Sequence, residues 1–178
     1  MLEHAQRREI GAVGVKLYYP NDTIQHAGVV LGVAGPSKTE SIAGHVMRTQ
    51  PKGIIGIPYT IDTIRNYSAV TAATLMVSKK KYLKVNGLNE NLRIAFNDID
   101  FCLKLMNKGY YNLYTPYVEL YHHESVSTGT PKSKSRNMEE LREEVKIMKD
   151  HWYSLIQDDP FYNRNFCWES TSQIIRTE

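Results

Sequence analysis

Between residues 10 and 19, Val13, Val15 and Leu17 alternate with small or polar neighbours, the period-two pattern of a strand. Pro20-Asn21-Asp22 then makes a turn, and residues 24–31 resume a strand with His26 and Gly28 embedded in it. From 32 to 66 the periodicity is lost and Gly, Pro, Ser, Thr and His are frequent, which predicts a long functional or mobile loop. Residues 68–77 return to a buried-strand composition. Residues 78–85 predict a short helix with three consecutive lysines on its exposed side, closed by an Asn86-Gly87 turn. Ile99, Cys102, Leu105 and Met106 fall at i, i+3, i+6 and i+7, one apolar helical stripe. That helix starts near Asn97 or Asp98, either of which can cap it, and Gly109 supplies its stop. Two strands, 110–114 and 118–121, follow around a Thr115-Pro116 break. Asn137 with Glu140 resembles a capping box, and Leu141, Val145, Met148 and Trp152 recur at helical spacing, their helix packing on the sheet with a solvated charged face. After Asp159-Pro160 the tail is irregular.

Strand and helix segments alternate, so the class is α/β. A doubly wound nucleotide-binding sheet opens with βα units and a Gly-rich turn, and none precedes residue 10. Residues 1–8 look like the last turns of a helix, so the chain is expected to begin in the middle of a fold.

Composition narrows this picture. A chain of 178 residues, 42% hydrophobic and 23% charged, can bury a sizeable core and is not disordered wholesale. A net charge of +3 does not call for nucleic acid, although the basic segment 132–136 can face an anion. No apolar run reaches membrane-span length, and the first residues carry no signal-peptide core. Cys102 and Cys167 lie far apart and form no disulfide framework, which favours a reducing cytosol, with Cys102 as a buried thiol.

Candidate chemistry gathers between 96 and 127. Asp98 and Asp100 have the Asp-X-Asp spacing associated with a divalent metal and a diphosphate. On a helix, however, they point about 200 degrees apart. Capping by Asp98 and a dipole contact by Asp100 stand slightly ahead of chelation, and a carboxylate at a helix start can be both cap and general base. His122 and His123 are adjacent on a strand, so at most one faces a site. Ligation and plain packing are equally open for them. His26 and His45 read as lone structural histidines. Ser125 and Ser127, with the lysines after them, suit a phosphate or a solvated linker equally.

Five segments resemble the middle of bacterial family 2 glycosyltransferases: Lys16-Leu17-Tyr18-Tyr19-Pro20 with Ile24-Gln25-His26-Ala27-Gly28; Asn66-Tyr67-Ser68-Ala69-Val70-Thr71; Phe96-Asn97-Asp98-Ile99-Asp100-Phe101-Cys102-Leu103-Lys104; Tyr114-Thr115-Pro116-Tyr117; and Leu120-Tyr121-His122-His123-Glu124-Ser125. Asp159-Pro160-Phe161-Tyr162-Asn163-Arg164-Asn165 matches as well, and the order is kept across nearly the whole chain. These enzymes build surface polysaccharides such as O-antigen and rhamnan-type chains.

The resemblance implies a C-terminal portion of a GT-A fold, a mixed sheet with flanking helices whose N-terminal nucleotide-binding units are missing. It implies inverting transfer from a nucleotide-sugar donor to a glycan acceptor, with a divalent cation, manganese or magnesium, expected only alongside the missing half. Asn97-Asp98 would take the place of the family's Glu-Asp pair, with Asp98 as the catalytic base. Thr71, Asn97 and Asp100 would line the acceptor side, Ser125 and Ser127 the donor side, and His122 would complete the metal site. Residues 32–66 would form a loop over it.

Three features depart from the family. The donor-gripping Asp-X-Asp motif is absent, Thr128 stands where many relatives carry Arg, and Asn89 replaces the usual Asp of the turn at 86–90. Residues 1–130 are therefore read as the acceptor-side part and 131–178 as an amphipathic helix with an irregular tail, inactive alone. A non-catalytic carbohydrate-binding or assembly module is the competing reading, and a metal-dependent hydrolase using Asp98, Asp100 and a histidine a weaker one. A cytoplasmic location, at the inner face of the membrane, and self-association through an exposed sheet edge complete the expectations.

Overall fold

A computed structural model describes residues 1–34, 41–54, 59–93, 95–123 and 134–176, with only the backbone at 134–137. Its centre is β1 (Ile10–Tyr18), the alternating segment, buried along its whole length. Such burial needs a neighbour on each side. β7 (Tyr111–Tyr121) lies parallel to β1 on one flank. On the other flank β6 (Leu75–Val77) and β2 (Ile24–His26) pair antiparallel with its two ends. β5 (Arg65–Tyr67) adds antiparallel to β7, so the sheet has five strands and is mixed. A separate hairpin, β3 (Val29–Leu31) with β4 (Ala43–His45), stands beside it.

Helices flank this sheet. α1 (Leu2–Ala5) precedes β1, α2 (Lys79–Lys84) follows β6, α3 (Asn97–Asn107) precedes β7, and α4 (Lys134–Gln157) closes the regular structure. The mixed sheet with flanking helices is the α/β class expected, consistent with part of a nucleotide-diphospho-sugar transferase fold. The main core holds Tyr67, Phe101, Leu103, Leu105, Tyr114, Met148 and Ile156, all buried, and a smaller cluster joins Ala5, Ile10, Val13 and Leu113. Asn112, fully buried, ties three parts together. Its amide donates to the carbonyls of Ser68 (2.9 Å) and Cys102 (3.0 Å), and its Oδ1 accepts from Ala12 N–H. Cys102 is a buried free thiol donating to the Val70 carbonyl, and burial holds its pKa above the usual thiol range. No helix among the described residues is long and apolar enough to cross a membrane.

Several elements differ from their sequence expectation, each for a tertiary reason. The strand expected over 24–31 is two strands, split where Gly28 adopts φ +105°. The segment 32–66 holds β4 and the start of β5, and sends Ile42, Val46, Met47 and Ile61 into the core. The Pro116 break is a register irregularity inside one continuous β7, since Val15 pairs with Thr115 and Lys16 with Glu119. Lys81 is buried, not exposed, because its ammonium donates to the carbonyls of Arg7 and Ile10. Asn137 lies inside α4, which is already helical at Lys134. Glu144 on the charged side of α4 is buried and accepts the backbone N–H groups of Arg93 (2.6 Å) and Ala95 (2.7 Å).

Candidate functional site

α3 begins abruptly. Phe96, the residue before it, takes the left-handed conformation (φ +62°) and offers no side-chain cap. A large non-glycine residue there is uncommon, and such strain persists only where the surroundings impose it. Here they do: Glu144 holds the two N–H groups just upstream, and Asp100, just downstream, is bonded to α4. Asp98 is consequently not the cap. Its Oδ2 accepts the Ala72 N–H (2.9 Å) and its Oδ1 the Ile99 N–H (2.9 Å), leaving the half-buried carboxylate fixed toward the 3-10 helix at Ala72–Thr74. Thr71 caps that short helix, its Oγ1 accepting from Ala73 N–H. Thr71, Asn97 and Asp98 are thus brought together.

Asp100 points away, as the helical angle between the two carboxylates requires. It is buried, Trp152 Nε1–H donates to its Oδ1 (2.9 Å), and Lys104 Nζ lies 3.0 Å from its Oδ2 in an ion pair whose angle falls short of a hydrogen bond. The two aspartates do not chelate one ion.

Asp98 opens on a cleft of about 530 Å3 between the start of α3 and the β3–β4 hairpin. Asn97 and Phe96 line it from one side, His45 and Arg48 from the other. Asp98, Asn97, His45 and Arg48 therefore border one space of a size able to take a polar small molecule. Arg48 is steadied by Tyr19, whose hydroxyl accepts from its Nε (2.8 Å). In the sequence His26 and His45 stand as lone histidines. Their Nδ1 atoms are 3.0 Å apart, and His26 is fully buried. No spacing rule links positions 26 and 45, so only the hairpin reveals the pair.

His122 sits at the far end of β7. Its backbone N–H donates to the Tyr18 carbonyl (2.9 Å), and its Nδ1 lies 3.0 Å from Gln25 Oε1, while His123 is exposed. His122 is outside the described lining of the Asp98 cleft. Among the described residues no three His, Cys, Asp or Glu side chains converge to hold a metal ion. These residues alone therefore do not fit a divalent cation. Ser125 and Ser127, the expected donor-side residues, lie outside the described residues.

No family model matches the chain, and no solved structure does. Over 98% of its length it is 44% identical to an uncharacterized protein, y4gI, of Sinorhizobium fredii (strain NBRC 101917 / NGR234), of which it spans 19%. Over 96% of its length it is 31% identical to the O-antigen biosynthesis protein RfbC of Myxococcus xanthus, of which it spans 13%. The chain spans less than a fifth of the length of either curated relative it matches.

Proposed function

We propose that this chain is the acceptor-side part of an inverting glycosyltransferase that extends a surface glycan. The similarity to a protein of O-antigen biosynthesis supports the substrate class. The observation that carries the mechanism is Asp98, held by two backbone N–H groups at the wall of a polar cleft. A general base must be rigidly placed and within reach of the substrate proton. In this reading an acceptor hydroxyl enters the cleft and gives its proton to Asp98. Its oxygen bonds to the anomeric carbon from the face opposite the leaving group, and the carbon–oxygen bond to the nucleoside diphosphate breaks, the electron pair leaving with the diphosphate. Asn97, on the same wall, orients the acceptor, while Thr71, outside that lining, acts by capping the short helix whose Ala72 N–H holds Asp98. Asp100, with both oxygens engaged by Trp152 and Lys104, holds α3 in place and does not touch the acceptor.

Donor recognition and the divalent cation belong, on this proposal, to residues beyond these 178, with His122 contributing one ligand. Transfer takes place in the cytoplasm, at the inner face of the membrane. Calorimetric titration of the chain with UDP-, GDP- and dTDP-sugars, with and without manganese, tests the division of labour. No binding is expected, and saturable metal-dependent binding sinks it. With the upstream part supplied, Asp98→Asn should lower kcat by ~10²–10⁴-fold with little change in KM. An unaffected kcat removes Asp98 from the base role.

A further inference from the structure

The tail after α4, irregular in sequence, encloses a second cavity. About 320 Å3 in volume, it lies between the end of α4, the end of β3 and the segment 162–176. That is the lower end of the range for small-molecule sites, enough for one sugar ring. Three aromatic side chains, Tyr162, Phe166 and Trp168, form its walls. Its charged lining, Asp158 and Asp159 with Arg164 and Arg176, sums to zero, and Arg164 is paired with Asp158. Such a lining has no excess charge to attract a phosphate. It offers rings for the apolar face of a ligand and polar groups for its edge.

One further observation points to a ligand. Gln157 lines this cavity, and its Nε2 is buried without a hydrogen-bond partner among the described residues. A buried donor without an acceptor is costly, so an acceptor oxygen is called for there. The space also continues. Phe166 borders a cleft of about 770 Å3 with Asn163, Asn165 and Glu169, and another of about 680 Å3 with Thr60, Thr63 and Asn66. Amide and hydroxyl side chains prevail in the latter, and two amides stand beside Phe166 and Trp168 in the former.

We propose that the groove around Phe166 is a binding site for a neutral saccharide, with one sugar ring seated between Trp168, Tyr162 and Gln157. Nothing in this assignment uses Asp98. Identifying the bound saccharide with the growing glycan does rest on the transfer reading, and β3 makes it geometrically reasonable. Val29 lines the Asp98 cleft and Leu31 lines the second cavity. At about 3.3 Å per residue the two are ~7 Å apart along the strand, within the span of one oligosaccharide.

The test uses the 178-residue chain labelled with nitrogen-15 and the methyl glycosides of mannose, rhamnose, galactose and N-acetylglucosamine. At least one should produce saturable shifts of the Trp168 indole N–H and the Gln157 side-chain amide. Gln157→Leu, similar in shape, should weaken that sugar about fivefold, the worth of one hydrogen bond. No saturable shift with any of the four, an affinity unchanged in Gln157→Leu, or tighter binding of inorganic phosphate at the same signals overturns the proposal. Sugar binding here without transfer once the upstream part is supplied sinks the Asp98 reading alone. Transfer without any sugar-dependent shift at Trp168 sinks this site alone.

Discussion

Two imidazole nitrogens 3.0 Å apart can share only one proton between them, so at least one ring of the His26–His45 pair is neutral. His26 is the ring held neutral. It is fully buried, edge-on to His45 and to Tyr114, and burial first, then the charge of His45, hold its pKa well below the usual imidazole range. The unfolded chain takes up a proton on this residue below about pH 6.5, where the folded chain does not. Protons bound in the unfolded state then exceed those in the native state, and stability rises with pH across that window and is lost as pH falls through it. One such group contributes a slope of up to ~1.4 kcal/mol per pH unit. Guanidinium denaturation on either side of that window should show the loss. In His26→Asn, which does not titrate, stability should start lower and fall less, and an undiminished slope would trace the pH dependence to other groups.

At the scale of elements, the hairpin β3–β4 places His45 and Arg48, and a glycine places the hairpin. Gly28 has φ +105°, and a Cβ there would stand 2.2 Å from the Tyr67 ring, one of the largest buried side chains. Gly28→Ala combines a disfavoured backbone with overpacking and should cost about 2–4 kcal/mol, read as a lowered denaturation midpoint. A change under ~1 kcal/mol would mean that Tyr67 moves freely. The start of α3 depends likewise on α4. Glu144→Ala strips the Arg93 and Ala95 N–H groups of their acceptor and should cost about 2 kcal/mol. It should also depress transfer, because the strained Phe96 turn that aims Asp98 loses its anchor. Full activity in a destabilised Glu144→Ala protein would show that the turn holds itself.

Across the whole molecule, a buried carboxylate ties the tail to the rest of the fold, beside the bonds that Ala34 and Met47 N–H donate to the Trp168 and Thr171 carbonyls and the Thr60 hydroxyl to Gln173 Oε1. Asp159 is buried and accepts from Leu31 N–H (2.6 Å), the Ser68 hydroxyl (2.6 Å) and Phe161 N–H (2.7 Å), with burial raising its pKa against those bonds. It links α4's end, β3 and the segment after β5, and the walls of the second cavity depend on it. Asp159→Ala should lower global stability by on the order of 3 kcal/mol, with Asp159→Asn milder because its carbonyl still accepts. If the Trp168 signal of Asp159→Ala is native while global stability is unchanged, the tail has other sufficient ties.

Local pattern was enough for β1, α2, the apolar stripe of α3 and the Gly109 stop, because alternation, helical spacing and a left-handed glycine act within a few residues. The angle between Asp98 and Asp100 was legible for the same reason. The split at Gly28, the burial of Lys81 and Glu144, and the pairing of His26 with His45 were not. Each is decided by a partner 19 to about 70 residues away in the chain, with no periodicity to announce it. Motif residues could thus be named from sequence, but the partners that aim or bury them come only with the tertiary contacts. Packing brings Arg48 and His45 opposite Asp98 and folds an irregular tail into an aromatic groove, because burial and hydrogen-bond satisfaction are settled by the whole chain at once.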